Sequence, residues 1–221
     1  MNSVTITDFF SEPPICEREI LRYAGSRDAD DMTISLMHSC ITEIQDKLTY
    51  SVCYSKLPVT ISDDGICDFG VFKVRSNGLA KNLNGCSETL LFAATVGIEP
   101  DRLIHKYGRL SPSRALMFQA IGAERIEALC DCFCHNYENK NQVSLKPRFS
   151  PGYGDLDISV QSEIFSVLVC SKRIGITLND SYLMSPSKSV TAFAGISSDK
   201  TGKANEKCDF CDKSDCIYRR K

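Results

Sequence analysis

The sequence lacks any apolar run approaching the roughly 18–20 residues that a membrane-spanning helix needs, so no transmembrane helix is expected. Its first residues, MNSVTITDFFSEPP, show no basic start followed by a long apolar stretch, so no signal peptide is expected either. An excess of positive charge is also missing. Twenty-six Lys and Arg face 28 Asp and Glu, giving a formal net charge of −2 and a pI of about 6.0. The basic footprint of a nucleic-acid-binding protein is therefore absent. Twelve cysteines in 221 residues fall below the density of small secreted disulfide scaffolds. The expectation is a cytoplasmic protein with mostly free thiols, whose partners include neither nucleic acid nor membrane. No internal repeat, Ser-His-Asp set or glycine-rich phosphate loop is present, and Asn77-Gly78 and Asn84-Gly85 read as ordinary turn signals.

What is there is a globular mixture: 43% hydrophobic and 24% charged residues over a length sufficient for a continuous core. Residues 13–24 read as a prolyl entry into a short helix. A second helix fits 29–48, where Met32, Leu36, Cys40, Ile44 and Leu48 recur every four residues. Beyond it, β-branched and aromatic residues, Pro58 and the turn Asp63-Asp64-Gly65 predict strands near 50–56 and 66–74. A short helix fits 77–84, ending at Gly85. The apolar run 88–96 reads as a buried strand, although periodicity alone leaves a helix open.

A helical pattern returns over 99–108, and Ser111-Pro112 then opens the longest helix: serine suits the cap and proline the first turn. Its inner stripe is Phe118, Gly122, Ile126, Leu129 and Phe133, the glycine implying close approach of another backbone. A polar segment, Asn136 to Gln142, is expected to leave that helix. A loop containing Pro147, Pro151, Gly152 and Gly154, a helix at about 158–171 and a strand at 189–196 complete the domain. The fold class expected is α+β, with a mixed or antiparallel sheet and long helices. The division is a domain over 1–197 and a cysteine-bearing, lysine-rich tail over 198–221.

Cys16, Cys40, Cys53, Cys67, Cys86 and Cys170 sit singly among apolar neighbours and read as small buried hydrophobes. Cys130, Cys132 and Cys134 share one helix, where a spacing of two sends side chains to different sides. Core packing of Cys130 and Cys134 is favoured there over ligation. The tail differs: Cys208-x-x-Cys211-x(4)-Cys216 places two thiolates within reach of one metal and a third nearby. Zinc or iron–sulfur binding, dithiol redox chemistry and an unmetallated tail are all open on this spacing.

The stretch Lys146-Pro-Arg-Phe-Ser-Pro-Gly-Tyr-Gly-Asp155 carries the most chemistry. Its prolines remove backbone freedom and its glycines permit close approach of a ligand to the main chain. Arg148 adds a planar donor fork suited to a carboxylate or phosphate, and Tyr153 an aromatic face with a hydroxyl. A turn with a surface arginine is the competing reading. Asp155 and Asp157 read as solvated helix-entry charges rather than ligand contacts.

The order of these segments resembles the activation domain of cobalamin-dependent methionine synthase, particularly its free-standing relatives. The resemblance rests on Arg148-Phe-Ser-Pro151-Gly152-Tyr153, then Gly154-Asp155, Gln161, Ile174-Gly175-Ile-Thr-Leu178 and Met184-Ser-Pro186-Ser-Lys188-Ser189-Val190. Upstream, Ile126-Glu127-Ala128, Ile20-Leu-Arg-Tyr23 and Leu79…Leu83-x-Gly85-Cys86 extend it over most of residues 13–196. It implies binding of S-adenosylmethionine in an extended groove. Arg148 would hold the ligand's carboxylate, Ser150, Pro151, Gly152 and Tyr153 the wall, and Glu127 a polar or cationic group. It further implies reductive reactivation of a methionine synthase lacking its own activation domain, or of a related cobalamin-dependent methyltransferase. The partner holds the corrinoid, and an electron donor such as flavodoxin or ferredoxin serves it. In the other function considered, the chain is a non-enzymatic metal or iron–sulfur module that docks a corrinoid protein.

Overall fold

Side chains alternate along residues 50–58, and both sides of that strand are buried: Tyr50, Val52 and Tyr54 enter one core, Cys53 and Leu57 another. The computed structural model describes residues 4–26 and 28–197. In chain order the elements are β1 (Ile6–Phe10), α1 (Glu17–Tyr23), α2 (Asp31–Ile44), β2 (Tyr50–Pro58), β3 (Thr60–Ile61), β4 (Ile66–Asp68) and β5 (Lys73–Arg75). They continue with α3 (Asn77–Leu83), β6 (Glu88–Thr95), α4 (Glu99–Leu110), α5 (Pro112–Asn141) and β7 (Ser144–Leu145). Last come α6 (Gln161–Leu168), α7 (Cys170–Ile174), β8 (Thr177–Leu178), β9 (Met184–Ser185) and β10 (Ser189–Ser197).

The main sheet has the order β1-β2-β6-β10-β7, with every pair antiparallel. One face packs on α5 through Leu90, Phe92, Ala192, Ile126, Leu129 and Phe133. The other face packs on α3, α6 and the β4–β5 hairpin through Leu91, Phe193, Leu79, Leu83, Ile164 and Phe69. Strand β6 is central and buried on both faces, which explains why its sequence shows an unbroken apolar run rather than an alternation. A third cluster sits among α1, α2, α4 and the start of α5, around Ile20, Met37, Cys40, Leu103 and Phe118. Arg125, 1% exposed, straps the N-terminal segment to α5: it pairs with Glu124 and donates to the carbonyls of Pro13 and Pro14 at 2.6 and 2.8 Å.

Several expectations are corrected. The N-terminal strand β1 was not foreseen; it pairs with β2 from Ile6↔Tyr54 to Phe10↔Tyr50. The stretch 66–74 is a hairpin, not one strand, because the Asp68 carboxylate accepts the Gly70 N–H at 2.8 Å in a turn with Gly70 at φ +78°. Helix α5 continues through the polar segment to Asn141, since Tyr137 packs edge-on against Tyr54 at 5.9 Å. The helix expected over 158–171 breaks at Val169, which has φ +52°. The break lets Leu168 and Cys170, both fully buried, face the same core, which positions two apart on a continuous helix cannot do. At Gly122 the neighbour is not a backbone but the aliphatic stem of Lys188, 2.9 Å from where a Cβ would stand. Of the singly placed cysteines, Cys40, Cys53, Cys67 and Cys170 are buried, Cys86 is half-buried and Cys16 is exposed.

Phe133 is the hub of the α5 face, with ring centroids 5.0 Å from Phe92 and 5.1 Å from Tyr54. Phe133→Ala is expected to lower unfolding free energy by about 3–5 kcal/mol in urea denaturation. Leu110→Ala, at a side chain 73% exposed, is expected to change it by no more than about 0.5 kcal/mol.

Candidate functional site

Strand β10 is paired by β6 from Ser189 to Ile196, but on its other side β7 reaches only Ile196 and Ser197. The pairing then continues, as the Lys146 N–H donates to the Gly195 carbonyl at 2.8 Å and Phe149 and Phe193 exchange both main-chain hydrogen bonds at 2.9 and 2.8 Å. Beyond it the chain turns away at Pro151, and β10 runs on past the loop. An open depression of about 200 Å³ lies there, lined by Glu127, Arg148, Ser150, Pro151, Tyr153, Gln161, Met184, Ser189, Val190 and Thr191. Five of the six residues expected to bind a ligand thus meet at one place. The sixth, Gly152, shapes the loop: at φ +88° it suits glycine, and its N–H donates to the Leu156 carbonyl at 2.8 Å.

The floor is charged. Arg148, with a side chain 9% exposed, donates from Nη2 to Glu127 at 2.7 Å and from Nη1 to Asp131 at 2.6 Å. Glu127 and Asp131 are one helical turn apart on α5, so one guanidinium spans both. Burial opposes its charge, yet Cys130, Glu127, Asp131 and Cys134 around it outweigh burial and raise its pKa above the ordinary arginine value. Cys130 and Cys134 therefore belong to the packing beneath Arg148, Cys130 fully buried in the α5 core and Cys134 packed against it. The guanidinium meets an arriving ligand already paired. Also in the lining, the buried Thr191 hydroxyl donates to Gln161 Oε1 at 3.1 Å. Tyr153, 62% exposed, stands at the rim with its ring 6.3 Å from that of Phe149.

Helix α3 holds both ends of the 147–155 loop. Asn82 Nδ2 donates to the Pro147 carbonyl at 3.1 Å. Asp155 accepts from Ser76 Oγ at 2.5 Å, Asn77 N–H at 2.7 Å and Gly78 N–H at 3.0 Å. A Cβ at Gly78 would stand 3.0 Å from both Asp155 and Phe149. Gly78 is thus not a turn signal but the gap that admits the loop onto the first turn of α3. Asp155 is exposed, as expected of a helix-entry charge, but the helix whose first turn it caps is α3, far away in sequence, rather than the one that follows it. Asp157 does enter a helical turn, accepting the Ser159 N–H at 2.8 Å. Gly78, Asn82 and Asp131 went unrecognised in the sequence, where nothing marks a contact between segments so far apart.

The expected metal ligands Cys208, Cys211 and Cys216 lie outside the described residues. Among the described residues, no group of three or more His, Cys, Asp or Glu could hold a metal ion, and no helix is long and apolar enough to cross a membrane.

No family model matches the chain, and none of the curated proteins does. Among solved structures, one that matches is described as the crystal structure of the MetH reactivation domain bound to AdoHcy. The likeness has a TM-score of 0.64 and covers 91% of this chain and 81% of that one. The chain has the fold of that domain. Sequence identity is only 16%, so the likeness is one of fold, with a curled antiparallel sheet and long helices, as the α+β expectation required.

The Ser76 hydroxyl and the α3 N–H groups hold the Asp155 carboxyl below the ordinary value, about 3.9. Its bonds are therefore intact at neutral pH and lost as pH falls through the lowered folded value. Asp155→Ala should destabilise the protein by roughly 0.5–2 kcal/mol at pH 7, with the gap to the parent closing below about pH 4. Urea unfolding at pH 7 and pH 3 checks both statements.

Proposed function

We propose that the depression beside β10 binds the amino-acid end of S-adenosylmethionine. The observation that carries this reading is the Glu127–Arg148 ion pair on the depression's floor, in a chain with the fold of a domain solved with AdoHcy. An α-amino acid brings one carboxylate and one ammonium. An acid–guanidinium pair offers the complementary two charges, so ligand and protein can exchange partners without leaving a buried charge alone. The carboxylate takes Arg148 Nη2 and the ammonium takes Glu127. Ser150, Pro151 and Gly152 form the wall.

The size of the depression, about 200 Å³, fits the amino-acid end rather than a whole nucleoside, since sites that enclose drug-sized ligands run from about 300 Å³ upward. The rest of the ligand lies along the open rim past Tyr153, whose ring suits a sulfonium or an adenine. The chain's task in this reading is positioning: it holds the sulfonium methyl at an open surface. A corrinoid carried by a partner methyltransferase, with an electron from a donor such as flavodoxin or ferredoxin, supplies the acceptor chemistry. The function is then reductive reactivation of that partner, a methionine synthase without its own activation domain or a related enzyme.

Isothermal titration with S-adenosylmethionine and with AdoHcy tests the reading. The parent protein is expected to bind both, and Arg148→Ala is expected to weaken AdoHcy by at least about tenfold, consistent with loss of a charge-assisted hydrogen bond worth roughly 1.5–3 kcal/mol. Absence of binding in the parent would overturn it, as would an unweakened variant that circular dichroism shows to be folded.

A further inference from the structure

The two acids on Arg148 are not equivalent. Glu127 and Arg148 both line the depression; Asp131, on the same guanidinium, does not. Asp131 Oδ1 takes Nη1 at 2.6 Å from outside, with its own side chain 49% exposed. Glu127 Oε2 takes Nη2 at 2.7 Å from within, 31% exposed. One arm of the fork is thus fixed on the solvent side, while the other points its partner at the ligand.

We propose that Asp131 is the positioning residue of this site: it tethers Arg148 so that Glu127 can release the other arm to an incoming carboxylate. The proposal rests on reading the depression as an adenosyl amino acid site and adds a residue to it. A guanidinium fork binds planar partners in a fixed geometry. If Glu127 left an untethered Arg148, the ligand would have to immobilise a long side chain as well as bind it. With Nη1 held by Asp131, the orientation of Nη2 is set before the ligand arrives. The spacing supports this division of labour. Glu127 and Asp131 are four residues apart on the rigid α5, so neither can follow Arg148 if it swings away.

A competing role has the opposite sign. Were Asp131 simply a second acid competing for the guanidinium, its removal would strengthen carboxylate binding. AdoHcy separates the two, because its amino-acid end is a zwitterion without net charge and responds little to the site's overall charge. Asp131→Asn is expected to weaken AdoHcy about 3- to 10-fold, the cost of ordering one long side chain. It should leave 5′-methylthioadenosine, which has no amino-acid end, unchanged. Equal weakening of both ligands would mean a general structural defect and would overturn the proposal; tighter AdoHcy binding would assign Asp131 as a competitor and overturn it too.

Nitrogen-15 NMR of the ligand-free protein reads the tether without any ligand. Rotation about the Arg148 guanidinium bonds is expected to be slow in the parent and faster in Asp131→Asn; identical rotation in both would sink the tether. If AdoHcy fails to bind the parent, the proposed function falls, and the rotation measurement still decides whether Asp131 fixes Arg148.

Discussion

A guanidinium buried at the meeting of a helix and a loop must have its charge answered on the spot, and in this protein Arg148 is answered twice, by Glu127 and Asp131 of α5. That requirement joins two parts of the fold that no main-chain hydrogen bond connects: α5, which covers one face of the sheet, and the 147–155 loop, which leaves the edge of β10. Removing both acids would leave the guanidinium, 9% exposed, buried and uncompensated, which is more damaging than never having built the cluster. The cluster therefore fixes the loop and, at the same place, presents charge to the depression beside it.

The loop is also held from behind. Asn82 and Asp155 tie its two ends to α3, and Gly78 leaves room for Phe149 and Asp155 to lie against the first turn. Phe149 meanwhile pairs with Phe193 in β10. A segment of irregular backbone is in this way anchored on a helix, a strand and a second helix. Rigid support of this kind lets a loop hold a ligand without a large ordering cost at the moment of binding. It also confines the opening of β10 to the few residues, Ser189 to Thr191, that line the depression.

Much of this was legible in the sequence, for identifiable reasons. The stripe Phe118, Gly122, Ile126, Leu129 and Phe133 placed one face of α5 against the core, because helical periodicity reports burial directly. The Pro-Gly loop and its arginine stood out because those residue types restrict or relax the backbone. What was not legible depends on contacts between distant segments. No local pattern says that Asp155 caps a helix starting at Asn77, that a lysine stem lies over Gly122, or that Asp131 shares a guanidinium with Glu127. The polar run after residue 136 misled for a related reason: one aromatic, Tyr137, packing on Tyr54 of β2 goes with a helix that continues where composition alone suggested an end. Strand β1 escaped because five residues at an edge, partly exposed, carry little periodic signal.

A crystal structure of the protein soaked with AdoHcy shows whether ligand and protein exchange partners on the Glu127–Arg148 ion pair. The ligand's carboxylate is expected on Arg148 Nη2, its ammonium against Glu127, and Asp131 still on Nη1. A ligand seated elsewhere, or one bound beside β10 while Glu127 keeps its hold on Arg148, would contradict that exchange.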